Sequence, residues 1–90
     1  MNREEFDKIF DNEDIESKWE GDNAIQGLNI IAKYIDPKKE SIVCGADHDV
    51  IFSVDIDDLI TAGITEEDVM ALKLLNWCNY EGEDYLGCFV

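Results

Sequence analysis

Fifteen uncompensated negative charges have to be folded into 90 residues, since 22 Asp and Glu face only 7 Lys and Arg. Compaction brings like charges together, so the chain folds against a self-repulsion that weakens as salt rises. Only a well-ordered apolar set can offset this. The apolar fraction is 46%, and these residues recur with helical or strand periods, unlike those of a disordered acidic tail. The length fits one domain, residues 1–90, with a modest core. The charge exceeds the roughly 2–8 units that keep a small domain soluble. It points to a cationic partner or a saline setting, and argues against direct binding of nucleic acid or of an anionic membrane surface.

Helical signals come first. Asn2 and Glu5 have the spacing of a capping box, and Phe6, Ile9 and Phe10 then share a helical face. The polar stretch 11–19 reads as a loop that pins Ile15 and Trp19 to the core. A second helix is predicted over 23–35, with a stripe of Ala24, Leu28, Ile31 and Ile35 widened by Ile25 and Ala32. Asp36-Pro37 ends it, because the residue before proline leaves the α region. Asp55 can cap a short helix over 56–62 that stops at Gly63. Thr65 can cap another over 66–75, with Asp68 in the capping-box position and Ile64 and Val69 as a hydrophobic staple.

Two β-hairpins are expected. Residues 41–46 and 49–54 flank a turn over 45–49, with Val50, Phe52 and Val54 on one face. Trp77-Cys78-Asn79-Tyr80 and 85–90 flank Glu81-Gly82-Glu83-Asp84. The predicted fold is α+β, a small antiparallel sheet of two hairpins packed against two to four helices. Its core should hold Phe6, Phe10, Leu28, Ile31, Ile35, Val50, Phe52, Val54, Leu72, Leu75, Leu86 and Cys88. No stretch approaches the ~20 apolar residues of a membrane span, and Met1-Asn2-Arg3-Glu4-Glu5-Phe6-Asp7 lacks an apolar signal core. The expected location is the cytoplasm. Three cysteines, an odd number, fit a reducing compartment.

Residues able to carry chemistry are few. Cys44 and His48 are spaced C-x3-H, and Cys78 or Cys88 could complete a zinc site, but no C-x2-C pair exists. The three thiols read better as small buried hydrophobes. Asp55, Asp57 and Asp58 open like a calcium loop, yet its sixth position is Ile60 rather than glycine. A looser magnesium or calcium site on Asp47, Asp49 and Asp55 remains open. Asp47 and Asp49 would favour the imidazolium of His48, which reads as a polar turn residue. No phosphate loop or nucleophile elbow is present. The reading is a non-enzyme with no cofactor and no metal.

The distribution of acids is more informative. Asp47, Asp49, Asp55, Asp57, Asp58, Glu66, Glu67 and Asp68 fall in 22 residues without one Lys or Arg, and after residue 40 the only cation is Lys73. Alternate residues of a strand lie ~6.6 Å apart on one face. That is about two phosphate rises of a nucleic-acid strand, so such a surface can occupy a groove built for DNA or RNA. The plain alternative is that the acids are helix caps and solvated faces. Trp19, Tyr80 and Tyr85 have the amphipathic character of contact hot spots.

The small size, acidity and segments Leu74-Leu75-Asn76-Trp77, Glu83-Asp84-Tyr85-Leu86 and Phe89-Val90 resemble small acidic proteins of phages and mobile elements, including anti-CRISPR and other anti-defence proteins. The likeness is one of type and transfers no site. It implies an inhibitor that occupies the basic, nucleic-acid-binding surface of a protein or nucleoprotein complex. The rivals are a small immunity or regulatory protein that binds a toxin or enzyme, a metal protein or enzyme built on Cys44 and His48, and a halophilic domain whose charge serves solvation.

Overall fold

The computed structural model describes residues 1–18, 21–47, 49–79 and 84–89. Trp19, His48 and Tyr80 lie outside the described residues, as does most of the second predicted turn. In chain order the elements are α1 (Arg3–Phe10), α2 (Asn23–Ala32), β1 (Gly45–Asp47), β2 (Val50–Asp55), α3 (Ile56–Thr61), α4 (Glu66–Leu74), β3 (Trp77–Asn79) and β4 (Tyr85–Phe89). The fold is α+β, and among the described residues four strands form one antiparallel sheet of order β1-β2-β4-β3. The last strand is central, inserted between β2 and β3.

Local chemistry fixes several element ends. The Asn2 side chain accepts from the Glu5 N–H at 2.8 Å, and the Glu5 carboxylate accepts from the Asn2 N–H at 3.1 Å, so the capping box forms. Asp55 caps α3 and Thr65 caps α4. Beyond α3, Gly63 has φ 91°. Its N–H donates to Ile60 O, and the Ile64 N–H donates to Leu59 O. This is a Schellman motif, which needs a left-handed residue where glycine stands. Ile64 and Val69, the predicted staple, are both buried.

One cluster of buried side chains joins all four helices to the sheet: Phe6 and Phe10 from α1, Ile31 from α2, Ile56 and Leu59 from α3, Val69 and Leu72 from α4, with Val54, Trp77, Leu86 and Cys88 from the strands. Three expectations need correction here. The predicted 41–46 strand is confined to Gly45–Asp47, which shortens the turn. Residues 41–44 instead run past β2, where the Ser53 hydroxyl donates to Ile42 O at 2.6 Å and the Cys44 N–H to Phe52 O at 2.8 Å. Second, Val50, Phe52 and Val54 do not share a face. The register shifts between Phe52 and Asp55, and the extra residue turns Val54 into the core. Phe52 is left on the opposite face, its ring 5.6 Å from Tyr85 in an edge-on contact.

Third, α2 ends at Ala32, before the proline signal, and its buried line is Asn23, Gly27 and Ile31. Leu28 is only half-buried and Ile25 is exposed. The line is rotated because the Trp77 indole lies directly over Gly27 and donates through Nε1 to Asn23 O at 3.1 Å. Asn23 in turn donates through Nδ2 to Lys18 O at 2.9 Å. Ile31→Ala is therefore expected to cost about 2–4 kcal/mol, and Leu28→Ala about half as much. Urea melts of the two variants check this; equal losses would mean that the face is misplaced.

Candidate interaction surface

The eight acids of 47–68 occupy three places. Asp47 ends β1 and Asp49 follows in the turn. Asp55, Asp57 and Asp58 surround the start of α3, and Glu66, Glu67 and Asp68 form the first turn of α4. Asp55, Asp57 and Asp68 have identifiable work inside the fold. The Asp55 carboxylate accepts from the Asp57 N–H at 2.9 Å. Asp57 Oδ1 lies 3.5 Å from Arg3 Nη1. Asp68 is half-buried against Tyr34 and Lys33. Asp49, Asp58, Glu66 and Glu67 are exposed, and among the described residues none of their carboxylates makes a hydrogen bond or close ion pair, although the Glu67 charge acts on Lys33.

Two cations are drawn into this acidic surface. Arg3 bridges Asp7 at 3.0 Å, Asp84 at 3.2 Å and Asp57, tying α1 to α3 and to the start of β4. Burial opposes its charge, but the bonds and charges of Asp7 and Asp84 outweigh it and raise its pKa. Lys33 Nζ lies 2.9 Å from Asp68 Oδ2, and the Asp68 hydrogen bond raises the Lys33 pKa. The Tyr34 hydroxyl donates to the same oxygen, Asp68 Oδ2, in a short bond, and accepts from the Thr65 N–H at 3.4 Å. Asp68 thus does not close the predicted capping box directly. Tyr34 stands between the acid and the cap backbone.

Burial works against the Asp68 carboxylate, but its bonds from Tyr34 and Lys33 prevail and lower its pKa. A lowered folded pKa stabilises above the ordinary aspartate value of 3.8, and that contribution fades as pH falls through the folded value. Asp68→Asn is expected to cost about 1 kcal/mol at neutral pH, the scale of a charged hydrogen bond that stays partly solvated. The gap between wild type and variant should close as the pH falls below 3.8 and through the lowered folded value. A gap that is unchanged in acid would show that the carboxylate charge is not what the node uses.

The cysteines do not converge. Cys44 is exposed, Cys78 half-buried and Cys88 buried. Cys44 lies outside the strands, which corrects its reading as a buried hydrophobe. Cys88 pairs with Trp77 and Cys78 with Gly87, so the two thiols point to opposite faces of the sheet. Burial and then Cys78 push the Cys88 thiol up to about 11, and burial raises Cys78 as well. Among the described residues no group of three His, Cys, Asp or Glu could hold a metal ion. The alternative acid set Asp47, Asp49 and Asp55 is likewise not brought together as such a group.

Tyr85, the one described aromatic among the proposed contacts, is half-buried on the face that carries Phe52 and the 48% exposed Phe89. A further feature escaped the sequence reading. A groove of about 450 Å³ runs between α2 and α4, lined by Gln26, Asn29, Ile30, Ala71, Leu74 and Leu75. Met70 and Leu74 are 42% and 43% exposed. Their i, i+4 spacing within the predicted 66–75 helix was the available signal. Among the described residues no helix is long and apolar enough to cross a membrane. No family model, no curated protein and no solved structure matches the chain.

Proposed function

We propose that this protein is a non-enzymatic binding inhibitor whose acidic surface occupies a basic, nucleic-acid-binding site on a partner, in the manner of anti-CRISPR and other anti-defence proteins. The observation that carries the reading is the surplus of acid left after internal pairing. Asp49, Asp58, Glu66 and Glu67 stay exposed, while the only cation beyond residue 40, Lys73, turns its Nζ inward to Phe10 O at 2.7 Å. Helix caps account for Asp55 and ion pairs for Asp57 and Asp68, but neither accounts for these four. Exposed carboxylates steer a cationic surface into contact quickly and make the complex salt-sensitive.

The test is capture of partners from a host-cell lysate, followed by competition with duplex DNA. The expected partner is basic, elutes with salt and is displaced by DNA. A partner indifferent to DNA would overturn the mimicry and favour an immunity or regulatory role. With the partner in hand, Asp49→Asn, Asp58→Asn and Glu67→Gln together should weaken binding at least about tenfold, or ~1.4 kcal/mol. Asp57 is excluded because it faces Arg3. Asp11→Asn, Glu13→Gln and Glu16→Gln are the control, and an equal loss there would assign the binding to net charge alone.

A further inference from the structure

The apolar groove and the acidic surplus meet on one side of the molecule. Lys33 contacts Asp68 at one end of the α2–α4 pair, and Trp77, just beyond α4, contacts Asn23 at the other. The helices therefore run antiparallel, and the groove follows them. Its lining carries no charged side chain. Acids stand at both ends: Glu66 and Glu67 at the start of α4, and Asp22 before the first turn of α2. All three are exposed. Glu66 and Glu67 lie one helical turn before Met70 and Ala71, and Asp22 lies one turn before Gln26. Lys33, at the Glu66 end, is held by Asp68, whereas Lys18, whose N–H donates to Leu74 O and whose carbonyl accepts from Asn23, is an exposed cation at the Asp22 end, so the acid surplus of the groove lies at the start of α4.

From this juxtaposition we propose that the groove between α2 and α4 seats a cationic amphipathic helix of the partner protein. The inference rests on the acidic-surface reading above and specifies what that surface grips. Ile30 and Leu74 of the lining would take the apolar stripe of the incoming helix, in the helix-in-groove mode, and exposed Met70, outside the lining but one turn before Leu74 on α4, would extend that contact. Glu66, Glu67 and Asp22 would meet its Lys and Arg. The ten residues of α2 span ~15 Å, which matches about three turns of a helix. A second copy of this chain is disfavoured, because it would set two bodies of charge −15 against each other.

The test uses two synthetic peptides of about 16 residues and identical Leu and Lys composition, one with leucines at i, i+3, i+4 and i+7, the other scrambled. Fluorescence anisotropy in about 0.1 M NaCl should show the striped peptide binding at least about tenfold tighter. Met70→Gln with Leu74→Gln keeps the net charge and should erase that preference. Glu66→Gln with Glu67→Gln should weaken both peptides and leave the preference in place. If both peptides bind alike, or the preference survives Met70→Gln with Leu74→Gln, the groove is overturned while the acidic surface stands. If neither peptide binds, both proposals fall. If sedimentation shows a dimer that this groove variant dissolves, the groove is a self-interface and the proposal is overturned.

Discussion

Replacing Gly27 by alanine is expected to cost about 2–4 kcal/mol, although the same change in an exposed helix interior gains up to ~1 kcal/mol. A Cβ at this position would lie 1.9 Å from Trp77 Nε1, 2.3 Å from Cε2 and 2.8 Å from Cδ1. The ring has no room to retreat, since Trp77 is 1% exposed. Moving it would also break the bond from Nε1 to Asn23 O, a loss of about 1 kcal/mol. Trp77→Phe removes the nitrogen that the new methyl would strike. Gly27→Ala should therefore be less harmful in that background, and a double-mutant cycle from urea melts reads the coupling. If Gly27→Ala proves as stable as wild type, the indole does not lie over α2.

The same contact explains why α2 was the element least legible in the sequence. Its apolar residues define a plausible stripe through Ala24 and Leu28, and propensity gives no reason to bury a glycine and an asparagine instead. The decisive partner, Trp77, is 54 residues away from Asn23 along the chain. By contrast, α1 and α3 were legible because their signals are local. The Asn2–Glu5 box, the Asp55 cap and the glycine after α3 each lie within a few residues of the end they fix. The register shift in β2 depends on its pairing with β4, and alternation within one strand cannot reveal it.

The candidate surface divides along the same line. That residues 47–68 are acidic is plain from composition. Which acids are spent internally is not, because Arg3 reaches Asp57 and Asp84 across most of the chain, and Tyr34 and Lys33 reach Asp68 from another helix. The groove has the same origin. It exists only once α2 and α4 lie side by side, and exposed Leu74 acquires a use only beside Ile30.

Raising the salt from about 0.01 to 0.1 M is expected to raise the melting temperature by more than any single surface substitution, because the Debye length falls from ~30 to ~10 Å. Folding confines a net charge of −15 within extents of 34 × 28 × 21 Å. Two unit charges ~20 Å apart repel by ~0.2 kcal/mol in water before screening. Fifteen uncompensated charges form on the order of a hundred such pairs, so screening removes several kcal/mol from the folded state. The unfolded chain is more expanded and loses much less. For a domain of this size each kcal/mol is worth about 4–8 °C. The gain should be the same with sodium and with choline chloride, since only ionic strength is needed. Thermal melts at the two strengths decide the matter. A melting temperature that does not move would mean that the charge is already compensated in the fold, and a rise with sodium but not choline would point to a bound cation rather than to screening. The carboxylates removed by Asp49→Asn, Asp58→Asn and Glu67→Gln bear on the same balance. If they are surplus to folding and kept for a partner, the triple variant should melt higher than wild type at low salt and bind less well, so that stability and function move in opposite directions.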